Sequence, residues 1–141
     1  MKFAIGFIVW PSGARAANLL LKCFMLKALE LSRINLSDGE IDPAEVVRGY
    51  VAGDVSAAHC KKLAADWLAR LDSVDRVREF QDKNILLVRL ANSLLDVDEG
   101  GVMSYADELG WFIELLGFYG VDYYGAVRPM MVEYFSPYLG E

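Results

Sequence analysis

Between Ala14 and Arg33 the chain changes polarity with the period of a helix, around an apolar arc too wide for a single neighbour. Arg15, Asn18, Lys22, Lys27, Glu30 and Arg33 fall on one side at 3.6-residue spacing, and Leu19, Leu20, Cys23, Phe24, Leu26 and Leu31 cover most of the rest. A helix this broadly apolar must be covered from several directions, so the spacing predicts a central helix surrounded by the remaining chain.

The rest of the sequence supplies such elements. Ser37-Asp38-Gly39 reads as a turn, and Asp42-Pro43-Ala44-Glu45 opens a short helix. Asp42 caps it, Pro43 takes the first helical position and Glu45 stands where a capping-box acid belongs. Gly53 ends that helix, and Asp54 or Ser56 begins another through Leu71, with Ala57, Cys60, Ala64, Trp67, Leu68 and Leu71 on one face. A fourth pattern runs from Ser73 to about Leu95, with Arg78/Asp82 and Glu79/Lys83 as i,i+4 pairs and a break expected near Asp82-Lys83-Asn84. Ser104 caps a fifth helix to about Phe118. A sixth spans Asp122 to Tyr138, where Pro129 predicts a kink or a late start. Residues 3–9 form a short apolar run that fits strand or helix, and because a lone strand has no ladder a helix is expected. The predicted fold is all-α: one compact domain over residues 1–141, a bundle of about six helices.

Composition narrows the function classes. A 55% hydrophobic content excludes a chain too polar to offset its own ordering entropy. Twenty acids against 14 bases leave a charge of -6, which argues against general affinity for DNA or RNA. Cys23 and Cys60 form neither a disulfide framework nor a Cys-x-x-Cys pair, so packed, reduced thiols in a cytoplasmic protein are expected. The run from Phe3 to Trp10 is short for a signal peptide and continues into an apolar helix. Pro11, Gly13, Arg15, Asn18, Lys22 and Lys27 interrupt any membrane span over residues 3–31.

Two loops share parts of a calcium-binding pattern. Asp38 to Glu45 matches the second half of an EF-hand loop, but Ile34 and Leu36 stand where its first two ligands belong. Asp96-Val97-Asp98-Glu99-Gly100-Gly101 matches the first half, followed by Met103, Ser104 and Asp107, with Gly100 at a ligand position and Asp107 shorter than the usual bidentate Glu. Both read better as capped helix connections, so no metal and no cofactor are expected. The helix, Asp38-Gly39-x-Ile41 turn and Glu45 together also resemble a junction in TerB-like tellurite-resistance helical domains, which implies a regulatory or stress adaptor with weak divalent-metal binding as an alternative. No phosphate loop, nucleophile elbow or His-Glu-x-x-His motif is present, and His59 lies on the polar side of its helix beside Lys62 and Asp66. No catalytic residues are assigned. The chain is expected not to be an enzyme, with a small carboxylate-based enzyme as a further alternative.

The charge is unevenly distributed. Residues 96–141 hold nine acids against Arg128 alone, a local charge of -8, and the same stretch holds ten aromatic residues. On the fifth helix, Tyr105, Leu109, Phe112 and Leu116 make one apolar face and Trp111, Leu115 and Phe118 a second, edged by Asp107, Glu108 and Glu114. A helix apolar on two sides is either sandwiched in the core or receives a partner. In size, charge and the acidic–aromatic region from Asp107 to Tyr124, the chain resembles bacterial immunity proteins, which neutralise toxins, basic nucleases among them, in colicin or contact-dependent inhibition systems. That resemblance implies a basic toxin domain as partner and occlusion as mechanism. Asp107, Glu108, Glu114 and Asp122 would pair with the toxin's Lys and Arg, with Trp111, Tyr123 and Tyr124 packed beside them. Neither nucleic acid nor membrane is an expected partner, and the oligomeric state is left open.

Overall fold

The broad apolar arc of the first long helix is covered from several sides, as its width requires. The computed structural model describes residues 3–71, 82–99 and 104–140, and within them the chain forms α1 (Ala14–Leu31), α2 (Pro43–Ala52), α3 (Ala57–Ala69), α4 (Lys83–Leu95), α5 (Tyr105–Tyr119) and α6 (Arg128–Phe135). α1 packs on α2, α4 and α5, while α4 lies against α3 on one side and α5 on the other. Leu21, Phe24, Met25 and Ala28 of α1 meet Leu90 and Leu94 of α4, Leu109, Phe112 and Leu116 of α5, and Met131 and Phe135 of α6 in one continuous core. Each such leucine, methionine or phenylalanine contributes about 1.5–3 kcal/mol by leaving water. The architecture is an all-α bundle.

Local chemistry sets the helix ends. Asp42 accepts the Ala44 N–H at 3.0 Å ahead of Pro43, Ser56 accepts the His59 N–H at 3.1 Å, and Ser104 accepts the Asp107 N–H. Glu45 pairs with Arg48 one turn on. Gly53 and Gly120 close α2 and α5 in the left-handed region, with φ of 89° and 114°. Pro129 has no N–H to donate back to the preceding turn, and the chain absorbs the loss in a widened π-turn, Tyr123–Val127, so that α6 starts late at Arg128.

Three expectations are corrected. Residues 3–9 form only one 3₁₀ turn, Ile5–Phe7, before Ile8 enters an antiparallel bridge with Leu139. The ladder partner comes from the far end of the chain: Val9 N–H donates to the Tyr138 carbonyl at 2.6 Å and Gly140 N–H to the Phe7 carbonyl at 2.9 Å. Leu68, grouped by periodicity with the buried face of α3, is 44% exposed, because that face is centred on Cys60, Ala64 and Trp67, with Leu63 rather than Leu68 packed at its edge. The third correction concerns α1: Asn18 and Lys22, on its polar side, are both fully buried. The start of the fourth helical pattern at Ser73, Arg78 and Glu79 of its ion pairs, and Gly100 to Met103 of the second loop lie outside the described residues.

Candidate functional site

α5 separates its two apolar faces. Leu109, Phe112, Leu115 and Leu116 are buried, whereas Trp111 is 36% and Phe118 51% exposed. Asp107, Trp111, Glu114 and Phe118 follow one another at spacings of four, three and four residues, so they form a single line along the exposed side of the helix. Acid and aromatic alternate along that line. Asp107 sits in the first turn, where the unpaired N–H groups of a helix favour negative charge.

Glu108 turns the other way, toward the inside of the bundle. Burial raises its carboxyl above the usual range, the Lys22 ammonium works against that shift, and Asp96 and Asp98 add to it. Lys22 has no exposed surface. Its Nζ donates to the Ser93 carbonyl at 2.9 Å and lies 3.9 Å from the Met25 sulfur. Desolvation pulls its pKa from 10.5 down to about 8, opposed by the charges of Glu108 and Asp96. Ser93 lies in the last turn of α4, where carbonyls lack helical partners and a cation is favoured, which is the local reason a lysine is held there. Beside this lysine, between the end of α4 and α5, lies a cavity of about 190 Å³ lined by Asn92, Ser93, Asp96, Glu108 and Trp111.

The segment after α4 is tied down on three sides. Asn18 Nδ2 donates to the Asp98 carbonyl at 3.1 Å, and the buried Tyr50 hydroxyl donates to Glu99 at 2.6 Å. Arg15 approaches Glu99 at 3.7 Å, and Lys61 approaches Asp98 at the same distance. Asp98 and Glu99 therefore serve internal pairs, and the acidic surface is narrower than the charge count alone implies. Asn92, whose Nδ2 donates to the Ala64 carbonyl at 2.7 Å, fixes the end of α4 against α3.

Asp122, Tyr123 and Tyr124 stand beyond the C-terminal end of α5. At 1.5 Å per residue α5 runs about 18 Å from Asp107 to its last residue, Tyr119, and Asp122 follows the left-handed Gly120 that ends it. Asp122 caps the π-turn by accepting the Tyr124 N–H at 3.2 Å. Tyr123 is half-buried against the core, while Tyr124 is 77% exposed, its ring edge-on to that of Tyr123 at 5.0 Å. The predicted partner-binding residues thus form two groups. Asp107, Trp111 and Glu114 share one exposed line with Glu108 at its inner edge, and Asp122, Tyr123 and Tyr124 form a separate end.

Periodicity alone missed Lys22, Asn18 and Asp96. The available signal was local, since Lys22 is the only charged residue between Leu19 and Leu26. His59 is exposed. In the first loop, Asp38 accepts the Glu40 and Ile41 N–H groups at 2.9 and 2.7 Å and the Arg70 guanidinium at 2.8 Å, so its oxygens serve the turn. Among the described residues, no three His, Cys, Asp or Glu side chains are placed to hold a metal ion, and no helix is long and apolar enough to cross a membrane. Comparison with protein-family models, curated proteins and solved structures finds no match to this chain.

Proposed function

We propose that this chain is a non-enzymatic protein-binding inhibitor of the immunity type, which neutralises a basic toxin domain by covering its active site with the exposed line of α5. The observation carrying this reading is the alternation of Asp107, Trp111, Glu114 and Phe118 along one solvent-facing side, with both aromatic residues over a third exposed. Aromatic anchors supply contact area when desolvated, and flanking carboxylates steer a cationic partner and reject an anionic one. A nuclease groove built to hold phosphates presents the matching Lys and Arg. The protein acts in the cytoplasm, where its two thiols stay reduced.

The test is identification of the adjacent gene product, expected to be a basic toxin domain, and its titration with the purified chain. A one-to-one complex is expected, with association slowing steeply as salt rises. Reversing Asp107 and Glu114 together to Lys should weaken the complex about 100-fold or more, and Trp111→Ala about 30-fold. Unchanged affinity in both variants refutes the surface.

A further inference from the structure

We propose that the cleft between the end of α4 and α5 is a socket for one arginine side chain of the partner, with the guanidinium held between Asp96 and Glu108 and against the Trp111 indole. The inference rests on the partner-binding reading above and names the chemistry of its central contact. The cavity of about 190 Å³ has room for several waters or one planar ionic head group. Its walls are two carboxylates, one indole and the last turn of α4, whose dipole end is negative.

The buried lysine does not already fill this role. Lys22 Nζ is committed to the Ser93 carbonyl and the Met25 sulfur, and the ion pairs among the described residues do not join it to Asp96 or Glu108. Two carboxylates therefore face a recess without a direct cationic partner, over a floor whose carbonyl is already satisfied. An anion would meet both carboxylates and the helix end. An apolar group would bury the carboxylates uncompensated, which is costly. A cation meets neither objection, and although the Lys22 ammonium repels it, two carboxylates against one buried ammonium leave the recess short of positive charge. A guanidinium suits the site better than an ammonium, because its planar fork bonds two carboxylates at once and its face stacks on an indole. Glu108, with its carboxyl raised by burial, gains most from that neighbour.

The probe is the blocked tripeptide acetyl-Gly-Arg-Gly-amide, with its citrulline and lysine counterparts, titrated into the ¹⁵N-labelled full chain while the backbone N–H of Ser93 in the cavity wall is followed, beside the Trp111 indole N–H where that ring is present. The arginine peptide should shift these signals saturably, the neutral citrulline peptide should leave them in place, and the lysine peptide should bind about tenfold more weakly. Glu108→Gln, Asp96→Asn and Trp111→Ala should each weaken the arginine peptide about tenfold. Asp107→Asn with Glu114→Gln should weaken it less than Glu108→Gln does, because both carboxylates are exposed and stand outside the cavity lining. Trp111→Ala removes a partly exposed ring, so it tests the socket even if a carboxylate variant fails to fold. Equal binding of citrulline, or no loss in Glu108→Gln and Trp111→Ala, overturns the socket, and equal binding of lysine overturns the arginine assignment. With the toxin domain, loss of affinity on reversing Asp107 and Glu114 but none on Glu108→Gln refutes the socket and leaves the surface standing. Tripeptide binding at the socket with no effect of either change on the toxin complex refutes the surface instead.

Discussion

Replacing Lys22 by Met keeps the length of the side chain and removes its charge, and so measures what holding an ammonium inside this bundle costs. Displacement of the lysine from 10.5 to about 8 corresponds to a penalty of about 3 kcal/mol for the charged form at neutral pH. Against this, the Ser93 carbonyl loses its donor, a cost of about 1–3 kcal/mol for a buried acceptor left unpaired. The two terms nearly offset at pH 7, where Lys22→Met should be as stable as the parent or up to about 2 kcal/mol more stable.

The pH dependence is the sharper readout. A lysine whose folded pKa lies below its unfolded value leaves the unfolded chain with more protons between about 8 and 10.5, so the parent gains stability as pH rises through that window. Burial raises the Cys23 and Cys60 thiols and the Tyr50 and Tyr134 phenols, and these groups act in the opposite direction as pH rises. Cys23, Tyr50 and Tyr134 are common to both proteins and largely drop out of the difference, and Cys60, whose thiol the Lys22 charge lowers, is removed from it by making the comparison in a Cys60→Ala background. Urea unfolding of both at pH 7, 8, 9 and 10 should therefore show the parent gaining about 2 kcal/mol relative to the variant across the series. A difference independent of pH would refute the buried, charged lysine and the argument built on it.

Three further outcomes follow from individual contacts. In Gly49→Ala the new methyl would stand 2.6 Å from Val55 Cγ2, and overpacking of about 1–3 kcal/mol should outweigh the roughly 1 kcal/mol gain in helix propensity; a higher melting temperature would contradict this. Tyr50→Phe removes the 2.6 Å bond to Glu99 and should cost about 1 kcal/mol in chemical denaturation, with faster amide exchange in residues 96–99. Asp38 is held near pKa 2 by the Ile41 N–H, the Arg70 guanidinium and the Glu40 N–H, so it contributes stability above pH 3.8 that is lost as pH falls toward 2. An acid titration of stability in which Asp38→Asn follows the parent unchanged would exclude that contribution.

Element positions were legible in the sequence because their causes are local. Asp42, Ser56 and Ser104 cap the helices they precede, Gly53 terminates one, and Pro129 delays another. The burial of Lys22 has its cause far away in sequence. Its acceptor, Ser93, lies 71 residues away, and a 3.6-residue period shows only that polar groups share a side, not whether that side meets water. The same limit applied to residues 3–9, whose hydrogen-bond partners sit at the opposite end of the chain. On α5 the period identified two apolar faces correctly, but only packing assigned Leu115 to the core and Trp111 and Phe118 to the surface.

The short ladder joining Phe7 and Val9 to Gly140 and Tyr138 has a mechanical consequence. Its two segments run antiparallel, and Phe7 and Gly140 pair at the end nearer Phe3 in one segment and on the far side of Leu139 from Tyr138 in the other. Tension applied between Phe3 and Gly140 therefore loads the two hydrogen bonds one after the other, Gly140 to Phe7 first, rather than shearing them together. The clasp should open at low force before any helix is strained. A pulling experiment would then record a small early extension, separate from rupture of the bundle.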